Sequence, residues 1–214
     1  MALYIIMMGV QGAGKGMQAG IIQQDYGIPQ VSTGDLFRAM FSREDELAQR
    51  VKAILAAGDL VPDDITCQMV EERLAQPDAA GGAILDGFPR NDFQAEWLKD
   101  HLASKGERVT AVLLLELDLY IAFKRAFGRV TDKETGKSFN VFYHSDGITS
   151  WDTEKHPEEA FPPRLDVKLA NGNPVKRRAD DADAVAVLNR IDTYMDNTMP
   201  LIEYYDAQGL VVKI

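Results

Sequence analysis

The chain has 214 residues, 46% of them hydrophobic and 26% charged, enough to bury one sizeable core and in keeping with one large domain that carries inserted subdomains. A formal net charge of −10 argues against a nucleic-acid or anionic-membrane partner, although a local cluster of arginines can still bind phosphate inside an acidic protein. The single cysteine, Cys67, excludes an internal disulfide and reads as a small core residue, and with neither a signal peptide nor an apolar run of about 18 residues the expected compartment is the cytoplasm.

Leu3-Tyr4-Ile5-Ile6-Met7-Met8 is an apolar run that leads into Gly9-Val10-Gln11-Gly12-Ala13-Gly14-Lys15-Gly16 and then a helical stretch. Strand, glycine-rich turn and helix in this order make a phosphate loop. Gly9, Gly12, Gly14 and Gly16 let the backbone turn its N–H groups inward, the helix adds its positive end, and Lys15 adds a full charge, so a nucleotide polyphosphate fits. The sequence follows G-x-x-x-x-G-K-[ST] through Lys15, but Gly16 stands where a Ser or Thr hydroxyl would meet magnesium. The metal must then be held elsewhere.

Helical spacing runs from Lys15 to Asp25 and stops at Tyr26-Gly27, after which Ile28-Pro29-Gln30-Val31 is a short buried-strand candidate. Ser32-Thr33-Gly34-Asp35 offers N-cap residues to a helix carrying Leu36, Phe37 and Met40, and Glu44 to Ala57 forms another helix, stopped by Gly58. Pro62-Asp63-Asp64 starts a helix to about Ala75, Gln76 to Gly82 is a turn-rich break, and Ala83-Ile84-Leu85-Asp86 is a strand ending in a carboxylate. A helix over Asn91 to Ser104 carries His101, expected to be exposed; an apolar strand over Val109 to Glu116 and a helix from the Asp118 cap to Gly128 follow. From Val130 to about Arg177 the periodicity fails. Aromatic positions such as Phe139, Phe142, Tyr143 and Trp151 are scattered through it, and since a structureless loop of that length does not suit a compact domain, a mostly β or irregular insertion with a small core of its own is predicted. Asp180 to Asp206 reads as one long helix and Leu210 to Ile214 as a last strand.

Two further segments carry the functional reading: Ser32-Thr33-Gly34-Asp35-Leu36-Phe37-Arg38, and Leu85-Asp86-Gly87-Phe88-Pro89-Arg90 with Gln94. Both follow strands expected to end on the phosphate loop's side. Together with Gly9 to Gly16, Phe123-Lys124-Arg125-Ala126-Phe127-Gly128-Arg129, Arg178-Ala179-Asp180-Asp181 and Arg190, they closely resemble the adenylate kinase family of nucleoside monophosphate kinases in its long-lid form, over residues 3 to about 214. The resemblance implies an α/β fold of the P-loop NTPase type, with a five-stranded parallel sheet flanked by helices. The core would comprise residues 1–31, 62–127 and 182–214, the inserted helical AMP-binding subdomain 32–61, and the lid subdomain 128–181.

The resemblance further implies that Thr33, Arg38, Asp59, Leu60, Val61, Gly87, Arg90 and Gln94 hold AMP, and that Gly12, Ala13, Gly14, Lys15, Gly16, Met17, Arg125 and Phe139 hold ATP. Lys15, Arg90, Arg125, Arg129, Arg178 and Arg190 would gather around the transferring group, with Asp86 organising Mg2+ through water. The implied reaction is reversible phosphoryl transfer from Mg-ATP to AMP giving two ADP, by a monomer. An ionised AMP phosphate needs no general base, so the catalyst's task is to align two anions and neutralise charge. Planar arginine forks suit phosphate oxygens, and a strand-terminal carboxylate suits hydrated magnesium.

The sequence also departs from the family's pattern. Met17 stands for a threonine, Gln11 for a loop proline, and Arg129-Val130 for an Arg-Arg pair; the spacing from Arg178 to Arg190 is one residue longer than usual, and Arg177 could take the place of Arg178. The chain ends at Ile214 where relatives continue into an adenine-contacting loop and a last helix, so either more chain follows or ATP-base recognition differs. Many relatives carry four zinc-binding cysteines in the lid; here the matching positions are Asp132, Thr135, Lys168 and Asn171, and no structural zinc is expected. An Asp132–Lys168 pair with Thr135 and Asn171 completing the hydrogen bonds is expected instead. His144, Asp146, Asp152, Glu154 and His156 match no metal-ligand spacing and read as solvated polar loop. Alternatives are a UMP/CMP-type kinase, whose members typically carry Ala at the position of Thr33, and a non-catalytic nucleotide-binding protein, motivated by Met17 and by the segment that relatives carry after the position of Ile214.

Overall fold

The computed structural model describes residues 2–56, 61–154, 164–178, 181 and 184–214. Asp59, Leu60, His156 and the predicted helix start at Asp180 lie outside the described residues, as does the Gly58 stop. Contacts group the chain into two units, one of Met1–Gly9, Gly14–Glu116 and Tyr194–Ile214, the other of Val10–Ala13 and Leu117–Thr193.

The first unit is built on strands β1 (Leu3–Met8), β2 (Gln30–Ser32), β3 (Gly82–Asp86), β4 (Val109–Leu114) and, from the C-terminus, β10 (Val211–Lys213). They form a five-stranded parallel sheet in the order β10-β4-β1-β3-β2. A parallel sheet is covered on both faces, which is why β1 and β3 read as near-continuous apolar runs rather than alternating ones. Register aligns Met7 with Asp86, and Ser32 with Asp86, so the turns that follow β1, β2 and β3 leave the sheet at one edge. Helices α1 (Lys15–Tyr26), α4 (Asp63–Leu74), α5 (Asp92–Ala103) and α8 (Pro200–Asp206) belong to this unit. Its core includes Ile6, Val31, Leu85, Phe88, Leu98, Val112 and Leu201. A second, smaller core of Met40, Ala48, Val51, Val61, Ile65 and Met69 joins α2 (Thr33–Ala39) and α3 (Glu46–Ala56) to α4. Cys67 is buried in the main core, as its helical position suggests, and burial among carboxylates pushes its thiol up to about 12.

The second unit contains α6 (Leu119–Phe127), α7 (Ala184–Thr193) and the insertion between them. The insertion is β, as the failed helical periodicity predicts. Strands β5 (Arg129–Asp132), β6 (Ser138–Asn140) and β9 (Val175–Lys176) form an antiparallel sheet in the order β6-β5-β9, and β7 (Ile148–Glu154) pairs antiparallel with β8 (Arg164–Leu169). Val130, Phe139, Val141, Leu165, Val167 and Leu169 are buried in it, and Phe142 meets Trp151 edge to face at 5.3 Å.

Two sequence readings are corrected. The single helix predicted over Asp180 to Asp206 is α7, a wide π turn over Tyr194–Thr198, and α8. Pro200 has no N–H to donate, so the chain widens before it, with the Met199 N–H reaching the Tyr194 carbonyl at 2.9 Å, and a new helix starts with Pro200 in its first turn. His101 is not exposed on α5: its side chain retains 9% of its surface and stacks on Trp97, one turn earlier, at 4.8 Å. Among the described residues no helix is long and apolar enough to cross a membrane.

Candidate active site

In the first unit the loop after β1 turns through Gly9 (φ 137°) and ends at Gly14 (φ 103°), which caps α1 in the left-handed region that favours glycine. Lys15 Nζ donates to the Gly9 carbonyl at 2.6 Å, closing the loop's base. A Cβ at Gly16 would meet nothing nearer than Gln30 Nε2 at 3.9 Å and Asp86 Oδ2 at 4.0 Å. The position where the loop pattern asks for a hydroxyl therefore looks onto the Asp86 carboxylate. Gln30, which sequence reasoning missed, donates its Nε2 to Asp86 Oδ2 at 2.9 Å and fixes that carboxylate. Met17 sits in the first turn of α1 with 74% of its surface exposed.

The ends of β2 and β3 bring Thr33, Gly87 and Arg90 together. The Gly87 carbonyl accepts from Thr33 Oγ1 at 2.9 Å and from Arg90 Nε at 2.8 Å, and Arg90 also donates to Thr33 Oγ1 at 3.4 Å. Gly87 has φ 76°, and a Cβ there would stand 2.9 Å from Thr33 Oγ1 and 3.1 Å from an Arg90 guanidinium nitrogen, so this close approach requires glycine. Buried Gln94 accepts the Arg90 N–H at 2.8 Å and donates to Asp63 at 2.6 Å. Arg38 lies on the exposed face of α2, paired with Asp35 at 2.5 Å, and Val61 is buried in the smaller core.

The second unit positions its arginines differently. A Cβ at Gly12 would lie 2.9 Å from the Ala122 carbonyl and 3.1 Å from Arg125 Cβ, so α6 presses on the loop tip and only glycine fits. Gln11, in place of a proline, donates to the Val187 carbonyl of α7 at 3.2 Å. Arg125 is exposed in the last turn of α6. Asp181, fully buried, accepts from Arg129 Nε at 2.9 Å and from a terminal nitrogen of the same guanidinium, and its other oxygen accepts from Arg190 at 2.7 Å. Asp181 is a candidate site residue that the sequence showed only as part of a motif. Arg177 donates to the Phe127 carbonyl at 2.5 Å and lies over the Phe127 ring at 5.3 Å, whereas Arg178 is exposed.

The adenylate kinase family model matches residues 7–210. The chain is 38% identical over 211 residues to the adenylate kinase of Nitrosococcus oceani, covering 98% of this chain and 89% of that one. The chain belongs to the adenylate kinase family. It is likewise 37% identical to the adenylate kinase of Shouchella clausii over 211 residues and 41% identical to that of Streptomyces griseus subsp. griseus over 212, in both cases over 98% of this chain and 89% of the relative.

The lid of this adenylate kinase family member departs from the expected anchor. Lys168 is not the partner of Asp132. It sits within β8, exposed and paired in register with Ser150, between buried Val167 and Leu169. Asp132 instead accepts the backbone N–H groups of Glu134 and Thr135 at 2.9 and 3.0 Å, the Asn171 amide at 2.7 Å and the Asn173 amide at 3.1 Å. These donors, the Thr135 N–H foremost, hold its carboxyl well below the usual carboxylate range. Thr135 contributes its backbone, while its hydroxyl accepts from the Lys137 N–H. Among the described residues, the groups turned onto Asp132 are N–H donors, which do not ligate a cation.

Phe139, expected beside ATP, is buried in the lid, where a Cβ at Gly147 would touch its ring at 2.9 Å. The Asn140 amide caps α6 at the Arg125 carbonyl, at 2.9 Å, and its oxygen accepts the N–H groups of Phe142 and Tyr143. Tyr143 is thereby held near the end of α6 with 51% of its surface exposed.

Proposed function

We propose that the chain transfers the γ-phosphoryl group of Mg-ATP reversibly to AMP, giving two ADP. The observation that carries this reading is the Thr33–Gly87–Arg90–Gln94 cluster at the end of β3, next in the sheet to β1 with its phosphate loop and Lys15. A polyphosphate cradle and a second, arginine-bearing acceptor pocket on adjacent strand ends suit a reaction between two phosphates. Arg90 would hold the AMP phosphate, Gln94 and Thr33 its base side, with Arg38 and the chain around Asp59, Leu60 and Val61 completing the pocket in the 32–61 subdomain.

Gly12 to Gly16, Lys15 and Met17 would cradle the ATP phosphates. Asp86 is a hard oxygen donor anchored by Gln30, and its environment fits hydrated magnesium, with Gly16 leaving space rather than a ligand. When bound, the ion would supply charge neutralisation on the phosphates. Arg129 and Arg190, set by Asp181, and Arg178 from the lid segment 128–181 would neutralise the transferring group. Since Phe139 is interior, Tyr143 is the aromatic surface we assign beside Arg125 to the ATP base.

The test is ADP formation from ATP and Mg2+ with AMP, UMP, CMP or GMP as acceptor. AMP as the preferred acceptor is expected. Preference for UMP or CMP would instead give a pyrimidine nucleotide kinase, and nucleotide binding without ADP formation would give a non-catalytic binder.

A further inference from the structure

Gln94 is tied at both ends of its amide. Its Oε1 accepts the Arg90 backbone N–H at 2.8 Å and its Nε2 donates to Asp63 Oδ1 at 2.6 Å. A backbone N–H can only donate and a carboxylate can only accept, so this amide has one permitted orientation. Flipped, it would set two donors together at Arg90 and two acceptors together at Asp63. Asp63 is itself held, since Asn91 Nδ2 donates to both its oxygens at 3.0 and 3.1 Å while Asn91 Oδ1 accepts the Gln94 N–H at 3.0 Å and caps α5.

An amide oxygen accepts two hydrogen bonds and its nitrogen donates two, so after these contacts Gln94 keeps one acceptor and one donor position side by side. That pair complements a 6-aminopurine edge, where the amino group donates and N1 accepts. It opposes a 6-oxopurine edge, where O6 accepts and N1–H donates. We infer that Asp63 is the positioning residue that sets 6-amino over 6-oxo discrimination in the monophosphate acceptor, by locking the orientation of the Gln94 amide. This rests on the proposed assignment of Gln94 to the AMP base. Asp63 touches no substrate in this scheme; it acts through Gln94.

The test compares AMP with IMP, which differ at this edge alone, as acceptors for the protein and its variants. In Asp63→Ala the amide can turn toward IMP, restrained only by the Arg90 N–H. The ratio of kcat/KM for AMP to that for IMP is then expected to fall about tenfold or more, the worth of one charge-assisted hydrogen bond, with KM for ATP unchanged. Asp63→Asn, whose oxygen can still accept from Gln94, is expected to restore most of the ratio. Asp118→Ala, which removes the α6 cap and touches neither Asp63 nor Gln94, is expected to lower Tm while leaving the ratio in place, which separates orientation from stability. Should Asp63→Ala not fold, Asp63→Ser, suited to a helix start but too short to reach Gln94, reads the same ratio. Equal losses for AMP and IMP in the Asp63 variants, alongside a lost ratio in Gln94→Ala, would overturn the inference and leave the base assignment standing. An unchanged ratio in Gln94→Ala would instead remove the base assignment, and the inference with it.

Discussion

Removing the Asp181 carboxylate tests how the second unit holds Arg129 and Arg190. Asp181 has no exposed surface and accepts from both guanidinium groups, so one buried negative charge orders two positive ones that would otherwise repel. Truncating one partner of a buried ion pair costs about 3–5 kcal/mol, because the remaining charge is left uncompensated. Here the Arg129 and Arg190 side chains keep 24% and 33% of their surface, so water takes over part of the lost solvation. A cost of about 2–3 kcal/mol is expected for Asp181→Ala, at and below the bottom of that range. At about 2–4 °C per kcal/mol for a chain of this size, calorimetry should show a fall of roughly 4–12 °C, confined to the transition in which α7 loses amide-exchange protection. Two arginines freed from their geometry should also lower kcat by about 10²-fold, with a smaller change in KM for AMP. Asp181→Asn keeps the shape but turns an NH2 toward a guanidinium, and its effects should fall between. A folded Asp181→Ala protein that melts within a degree of the wild type and turns over at an undiminished rate would refute the reasoning.

Lys15→Ala and Arg90→Ala should each lower kcat/KM by about 10²-fold or more, a loss of about 3 kcal/mol of transition-state stabilisation, while melting stays close to wild type; near-normal turnover in either folded variant would remove that residue from the site. In the lid, Asp132→Ala should speed amide exchange at Glu134 and Thr135 by roughly tenfold and leave the parallel sheet's exchange unchanged, and chelator should have no effect on either; stoichiometric zinc or iron by elemental analysis would overturn this. His101 is held below its ordinary value of 6.5, first by burial against Trp97 and then by the Lys105 ammonium on its Nε2, with Glu71 opposing. The unfolded chain therefore binds the proton more readily, so the stability His101 contributes is complete above about pH 6.5 and is lost as pH falls through and below that value. Melting between pH 7 and pH 5 should fall more steeply in the wild type than in His101→Gln, and equal slopes would rule this out.

The parallel core was legible because burial on both faces writes a strand as a continuous apolar run, and β1 and β3 are such runs. Helix periodicity, by contrast, continues across the π turn at Tyr194–Thr198 without a break in pattern, so α7 and α8 read as one. The signal that could have divided them was Pro200, which has no N–H to donate to the turn before it, although Met199 itself keeps helical φ −57° and ψ −41°. Within the site, Thr33, Gly87, Arg90 and Gln94 were legible as motif positions, and the structure shows why glycine is demanded at 87. Gln30 and Asp63 were not, and Asp181 was visible only as a motif letter without its role. Each acts on another side chain far along the sequence, 56 residues from Gln30 to Asp86, 31 from Asp63 to Gln94 and 52 from Arg129 to Asp181, and local pattern carries no record of such pairs.

The lid anchor shows how spacing can mislead when strand register is unknown. Asp132 and Lys168 open two segments with matching separations and following glycines, and Gly136 and Gly172 do adopt left-handed φ of 73° and 74°. Register decides against the pair, because β8 continues through Lys168 to Leu169 and alternation turns buried Val167 and Leu169 inward, Lys168 outward. The turn proper starts after the strand, so Asn171 and Asn173 are the residues that reach Asp132. Energetics favour the same outcome. A lysine brought to buried Asp132 would have to shed its own hydration, and the desolvation of two charges offsets most of their attraction. Two backbone N–H groups and two side-chain amides satisfy the same carboxylate without burying a second charge, and all four are already close by in the two turns. The two turns thus close around an anion held by neutral N–H donors.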